Sequence, residues 1–296
     1  MVLKEINVLY AEAFSARAGK GNPAGIVLDA DALSDDDMQK IANLVGFNET
    51  AFVLKSKAAD IRLRYFAPNH EMSMCGHATV ASIAELMSRG QMAGSKQISV
   101  ETAAGILDVA YDKRLREVTI KHMPVAFLNF EGNVEDLAAA LGIGLDDMDR
   151  SYPIVYAHCG TWTLLVPIKR VEPFVRMKPD NKRFAGILKE MPTASVHPFS
   201  TETIGFANDL HGRHFSASHS GTIEDPVTGT ASGGMAAYYI TYIKKINHAA
   251  LAIEQGQEMG RDGLVKAEAL RINDGVAVSI SGTAVFIEER CLAIEN

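Results

Sequence analysis

The chain has 296 residues, 47 % hydrophobic and 22 % charged, the proportions of a globular protein long enough for one or two cores. A formal charge of −7 without any basic run argues against a nucleic-acid partner, and no apolar stretch reaches the roughly 20 residues of a membrane helix. Three cysteines in neither paired nor metal-ligand spacing, and an N-terminus without a signal-like apolar stretch, point to a reducing, cytoplasmic setting and no metal.

In chain order, short apolar runs predict strands at Ile6–Leu9 and Gly25–Leu28, separated by a turn at Gly21-Asn22-Pro23. Ser34 is placed to cap a helix through about Val45, with Asp36 and Asp37 in its first turn. Strands follow at Ala51–Leu54 and Ile61–Phe66. Next, Met74-Cys75-Gly76-His77-Ala78-Thr79 opens a helix that is apolar all round (Val80, Ala81, Ile83, Ala84, Leu86), the pattern of an element buried on every side. Further strands are predicted at Ile98–Thr102, Ile106–Tyr111 and Val118–Lys121. Beyond Pro124, Asn133 caps a short helix that Gly142 ends. Strands then fall near Ile154–Ala157, Thr163–Val166, Ser195–Pro198, Ile204–Ala207 and His214–Ala217. A second apolar helix starts after Glu224-Asp225-Pro226-Val227-Thr228-Gly229-Thr230-Ala231. The chain closes with strands around Leu251–Glu254, Leu264–Ala267, Val276–Ile280 and Ala284–Ile287.

Each half thus has several strands and one buried helix. The strands come in short-turn pairs, which argues against a doubly wound parallel sheet. A curved sheet wrapped around each helix is the physical solution. Both helices begin at a glycine-led turn, where orphan N–H groups and the dipole favour an anion.

Taken singly, the polar residues near these turns have ordinary explanations. Glu49, between a helix end and an apolar strand, reads as an exposed loop carboxylate or as a general base whose burial raises its pKa. His77 reads as a cap, a satisfied core histidine, or a neutral imidazole at a helix start. Cys75 reads as an activated thiol or a small buried hydrophobe. Asp225 and Thr230 both suit helix capping. Nucleotide-loop, zinc-protease and serine-hydrolase motifs do not occur in the sequence.

Together, these residues carry a resemblance. Ala13-Phe14, Gly21-Asn22-Pro23-Ala24, Asn48-Glu49-Thr50-Ala51-Phe52, Arg64-Tyr65-Phe66-Ala67-Pro68, Cys75-Gly76-His77-Ala78-Thr79, Arg213-His214-Phe215, Glu224 to Ala231, and Gln255-Gly256 with Gly260-Arg261 run in order along the chain. The chain resembles the PhzF-like phenazine-biosynthesis proteins, relatives in fold of diaminopimelate epimerase and proline racemase. That resemblance implies an α+β fold of two similar lobes, each a curved, mainly antiparallel sheet around a central helix, with the active site in the cleft between them. The expected N-terminal lobe is 1–121, its central helix starting near Gly76, with a strand at about 284–296 returning to it. The C-terminal lobe is 122–283, its central helix starting near Gly229.

The resemblance also implies a cofactor-independent and metal-free isomerase, a homodimer, that moves a proton between carbons of a small carboxylate-bearing, amino-acid-like substrate. Carried over by position, Glu49 is the proton-transfer base, with His77, Asp225 and Thr230 as its companions. Gly76, Gly229 and Cys75 are substrate-binding positions. Thr230 stands where serine is usual, Ser216 follows Arg213-His214-Phe215, and Asp262-Gly263 follows Arg261. These departures leave the substrate open. A two-cysteine racemase is the competing enzyme class. It needs a second thiol at the second helix, where Thr230 stands, and Cys159 and Cys291 are expected to lie away from that turn. A non-catalytic binding or interaction protein on the same scaffold is the third reading.

Overall fold

The computed structural model describes residues 3–92, 94–220 and 222–295. The chain divides into two compact units: 1–121 together with 281–296, and 122–280. Each is an α+β lobe.

In the first unit the strand Leu3–Ala13 lies between two partners, running antiparallel to the chain's final segment on one side and to Asn22–Val27 on the other. From Asn22–Val27 the sheet continues in parallel to Thr50–Leu54, then antiparallel to Ile61–Ala67. A parallel step to Gln97–Thr102 and two antiparallel ones bring it through Gly105–Asp112 to Glu117–Lys121. There the Thr119 and Ser281 hydroxyls are 2.8 Å apart, so the last strand meets the closing segment of the chain. The sheet curls around the helix Gly76–Ser88, whose residues from Gly76 through Leu86 are all buried. A helix with no continuous polar face thereby loses its contact with water on every side, its buried Thr79 and Ser82 hydroxyls donating to the carbonyls of Cys75 and Ala78. Against the outer face lies the amphipathic helix Asp35–Val45. Ser34 caps it in a reciprocal box with Asp37, Gly46 ends it in the left-handed region, and Met38, Ile41, Ala42 and Val45 point inward.

The second unit repeats the plan. Val155–His158 pairs antiparallel with Ala126–Asn129 and with Trp162–Pro167, which runs parallel to Ser195–Ser200. The sheet passes through Leu210–Gly212 to His248–Gln255 and Gly263–Ile272. At its centre is the helix Gly229–Tyr238, in which every residue except Thr230 is buried. The helix can sit this close to the sheet because it is built of small residues. A Cβ on Gly234 would come within 3.1 Å of the Ala157 side chain, tighter than ordinary packing. Val134–Leu141, Glu172–Arg176 and Phe184–Ile187 cover the outer face through Leu137, Leu141, Phe174 and Phe184.

Three local expectations are revised, and the structure adds a π-helical turn. Ile204–Ala207 is not a strand: Ile204 and Phe206 face solvent, and the N–H groups of Ile204 and Gly205 donate to the Glu254 carboxylate instead of to a ladder. The two closing strands are one, Gly275–Glu295, in which Gly282 packs its bare backbone against the Phe14 ring. The second central helix ends in a π-helical turn, Tyr239–Ile243. Neither Asp225 nor Thr230 is a helix cap: the N-cap is Thr228, and Asp225 sits in the short strand Glu224–Asp225.

Candidate functional site

In the first unit three chain segments bring Glu49, His77, Cys75 and Asn22 together. Glu49 immediately precedes the strand Thr50–Leu54, and its carbonyl accepts the Gly25 N–H, which fixes its backbone. Cys75 is the N-cap of the first central helix and His77 lies in its first turn. The cap carbonyl is itself held. Thr79 donates its hydroxyl to Cys75 O at 2.6 Å, so the one remaining hydroxyl proton, that of buried Tyr65, must be the donor in the 2.7 Å Tyr65–Thr79 contact. Burial raises the Tyr65 pKa, which keeps that donor protonated.

The ring of His77 has two different neighbours. Its Nδ1 is 3.1 Å from Asn22 Nδ2, and an amide nitrogen can only donate, so Nδ1 is the acceptor. The proton of the neutral ring is then on Nε2, which faces Glu49 Oε2 at 3.3 Å. His77 is thereby assigned as a neutral donor turned toward a carboxylate. Cys75 Sγ is 3.4 Å from Nδ1 of the same ring. Asn22 and His77 are buried, whereas the Glu49 side chain keeps 15 % of its surface exposed. The Glu49 side chain thus keeps some exposure at an apolar strand entrance, while Oε2, the oxygen nearest His77, is buried. Asn22 reads in the sequence only as part of a turn. Its position is set by Gly21, whose φ of +74° and close approach to Ala13 O exclude a side chain.

The second unit holds Asp225 and Thr230. Thr228 donates its hydroxyl to Asp225 Oδ2. Gln255, itself buried, closes the turn from the neighbouring strand: its Nε2 donates to Asp225 O at 2.8 Å, and its Oε1 accepts the Thr228 N–H at 3.1 Å. Behind them the Arg213 guanidinium grips Glu224 through two bonds of 2.6 and 2.8 Å. Asp225 lies directly across the strand pair from His214, which burial holds in its neutral form. Thr230, half-buried, is the second residue of the central helix after Gly229. Thr228 and Gln255 lie in motif segments, but nothing in the sequence shows that they fix Asp225.

One expectation about the thiols is corrected. Cys159 does not lie away from the second turn: its Sγ donates to Thr230 O at 3.0 Å. Seventy-one positions separate the two in sequence. The bend between Val155–His158 and Trp162–Pro167 brings them together. Burial pushes the Cys159 thiol up to about 12, only partly offset by the backbone N–H of Gly234. At neutral pH it is a fully protonated, inert group. Cys291 is exposed. In the first unit, by contrast, donor atoms of Glu49, Cys75 and His77 all lie within 4.8 Å of one another.

Two lobes, each a sheet around a central helix, are the diaminopimelate epimerase-like architecture. Within it, the family model described as "Phenazine biosynthesis-like protein" matches residues 11–290, and the chain belongs to that PhzC-PhzF family. It is 48 % identical to the uncharacterized isomerase YfhB of Bacillus subtilis, over 99 % of this chain and 100 % of the relative. To the uncharacterized isomerase YddE of Escherichia coli K12 it is 33 % identical, covering 97 % and 98 % of the two chains. The crystal structure of a PhzF-family phenazine biosynthesis protein from Bacillus anthracis superimposes with a TM-score of 0.94 at 45 % identity, over 98 % of this chain and 100 % of that one.

Proposed function

We propose that the protein is a cofactor-independent isomerase that moves a proton between carbons of a small carboxylate-bearing metabolite, with Glu49 as the base. The observation that carries this reading is the Glu49–His77–Asn22 cluster: a carboxylate at the entrance of an apolar strand, its Oε2 3.3 Å from Nε2 of a neutral imidazole whose Nδ1 is engaged by Asn22. A carboxylate so placed takes a proton from carbon, and the Nε2–H orients it and stabilises the ionised form between transfers. The isomerase names of its relatives agree with this class of reaction. Asp225 and Thr230 serve the same reaction in this reading, with Thr228 and Gln255 as positioning residues for Asp225. Gly76 and Gly229, each offering a backbone N–H at the start of its unit's central helix, are substrate-binding positions in this reading, as is Cys75. Assembly as a cytoplasmic homodimer belongs to the same proposal. Light scattering should return twice the 32.0 kDa chain mass.

The test is a panel of cyclic and acyclic amino and hydroxy acids incubated with the enzyme in deuterium oxide and followed by NMR for a shifted double bond or deuterium at carbon. On whichever acid turns over, Glu49→Gln should lower the rate by about a thousandfold or more, within the range a general base supplies together with its positioning. Circular dichroism should be unchanged. A folded Glu49→Gln variant that turns over at the wild-type rate excludes the assignment.

A two-thiol racemase finds little support. The thiol nearest the second turn, Cys159, donates a hydrogen bond to Thr230 O and is held neutral by burial.

A further inference from the structure

Strand register in the second unit sets three titratable side chains in one row. His214 lies directly opposite Asp225 across one strand pair. Across the next, Val196 faces Phe215 and Phe199 faces Gly212, a register that sets His197 opposite His214. Residues opposed in this way share a face of the sheet, with Cβ atoms about 4.5–5.5 Å apart. Their chain neighbours Val196 and Phe215 pack outward, in the cluster with Phe174 and Phe184, so the row His197–His214–Asp225 is turned to the other face. His197 is paired there with Leu165, whose side chain lies beside Gly234 of the central helix. Gly212 makes room for the first ring: a Cβ on it would come within 2.5 Å of His197 Nε2.

The two imidazoles meet through like atoms. His197 Nδ1 and His214 Nδ1 are 3.1 Å apart, so one proton lies between them. Both rings are buried, and burial holds both neutral. Nε2 of His197 is buried without a hydrogen-bond partner among the described residues. Were the shared proton on His214, His197 would carry its own on Nε2, a buried N–H with nothing to receive it, the rarer kind of orphan. With the shared proton on His197, only a lone pair goes unused. His214 is then the acceptor at Nδ1 and carries its proton on Nε2. His77 in the first unit is built alike: its Nδ1 accepts from buried Asn22, and its Nε2–H is left for a carboxylate.

We propose that His197 fixes His214 as the neutral Nε2–H tautomer, and that His214 is a positioning residue for Asp225, stabilising its ionised carboxylate as His77 does that of Glu49. The expected effect on turnover rests on the proposed function, in which Asp225 serves the reaction; the tautomer and its effect on Asp225 do not. Asp225 already accepts the Thr228 hydroxyl at Oδ2. Other charges are engaged elsewhere. Glu224 is gripped by Arg213, both on the opposite face from Asp225, and His211 is tied to Glu254 and Glu258. The central helix, from Gly229 to Tyr238, brings no acidic or basic side chain to the row. A neutral N–H favours the anion and, unlike an imidazolium, has no spare proton to give it.

The experiment uses the full chain with 15N-labelled histidine. Long-range proton–nitrogen correlation spectra read which ring nitrogen carries the proton, and His197→Asn and His214→Leu assign the two rings. Near neutral pH, His197 should show Nδ1–H and His214 Nε2–H, with neither ring charged. His197→Leu should release His214 to a mixture of tautomers. His197→Asn, whose amide can donate as Asn22 does to His77, should restore the Nε2–H form. The Asp225 carboxyl, followed by carbon NMR, should titrate at higher pH in His197→Leu and His214→Leu than in the parent. Turnover should fall about tenfold in His197→Leu, the scale of one hydrogen bond to a charged group, and His197→Asn should recover most of it. Circular dichroism checks that each variant is folded, and the parent spectrum tests the tautomer without any substitution. An Nδ1–H His214 in the parent, or an unchanged tautomer in His197→Leu, overturns the pairing. An Asp225 titration that does not move in either leucine variant overturns the link to Asp225. If that titration moves while both His197→Leu and Asp225→Asn turn over at the parent rate, Asp225 leaves the proposed reaction and the positioning pair stands.

Discussion

His211 shows how a buried titratable group is held in one charge state. Its Nδ1 is 2.9 Å from Glu254 and its Nε2 is 3.1 Å from Glu258, with no exposed side-chain surface. Burial alone would lower the His211 pKa, but the two carboxylates outweigh it and hold the imidazolium above the usual 6.5. Burial alone would raise Glu254 and Glu258. It is outweighed by His211 at both, and at Glu254 also by the N–H groups of Ile204 and Gly205 and the amide of Asn208, so both lie below 4.5. The signs follow by linkage. The carboxylate contributions are complete above pH 4.5 and are lost as pH falls through the lowered values, while that of His211 is complete below 6.5 and is lost as pH rises through its raised value. Stability measured by urea unfolding should therefore decline from about pH 6 toward both extremes. His211→Gln leaves two buried carboxylates without their cation and should cost about 3–5 kcal/mol near pH 6, with a flattened alkaline limb. A wild-type alkaline limb in His211→Gln would show that the limb has another source. The thiols give a second contrast. Cys75→Ala should keep most of the turnover, because in the proposed reaction the proton is carried by Glu49 and oriented by His77, not by the thiol. Total loss of activity in a folded Cys75→Ala variant would return a thiol to the mechanism.

At the level of elements, much of the fold was legible wherever the signal is local. Ser34 and Gly46 bracket the first helix, and Asn133 and Gly142 bracket a later one, because caps act within one turn. Ser34→Ala removes the Asp37 N–H acceptor and should cost about 1 kcal/mol in thermal or urea unfolding. An unchanged midpoint would mean that water replaces the cap fully. The two central helices were legible from their lack of a polar face. Ile204–Ala207 was misread because alternation identifies a strand only if its backbone finds a ladder, and here the partner is the Glu254 side chain, fifty positions away. The candidate site divides in the same way. Glu49, Cys75 and His77 stand out in motif segments. Asn22 next to His77, Thr228 and Gln255 around Asp225, and Cys159 on Thr230 depend on contacts between distant segments, which no short pattern encodes. Gln255→Leu tests one such contact: it should leave the strand His248–Gln255 in place but free the Thr228 N–H and Asp225 O, lowering turnover by about tenfold with little change in stability beyond about 1–3 kcal/mol.

For the molecule as a whole, the order of the chain matters as much as the contents of its lobes. The first unit is discontinuous: it needs residues 281–296, which are made after the entire second unit. That segment pairs with Leu3–Ala13 along the full length of the strand, from Leu3 opposite Glu295 to Ala13 opposite Ala284. It also supplies Ile294 and Leu292 to the cluster of Val8, Tyr10, Met38, Ile41 and Phe52. Without it, Leu3–Ala13 becomes an open edge carrying the apolar run Val8 to Ala11, a template for association between chains. The loss of Ile294 and Leu292 from the core alone corresponds to about 2–5 kcal/mol for each large side chain removed, a large part of an ordinary stability. The second unit, 122–280, keeps its own central helix and its strand pairs after such a cut. A chain ended after Ile280 should therefore lose hydrogen-exchange protection throughout Leu3–Ala13 and Gly76–Ser88 and aggregate through its open edge. Amides of Gly229–Tyr238 and Trp162–Pro167 should remain protected. Equal loss of protection in both sets would mean that the two units fold only together, and full protection in the first would mean that Leu3–Ala13 does not need its C-terminal partner.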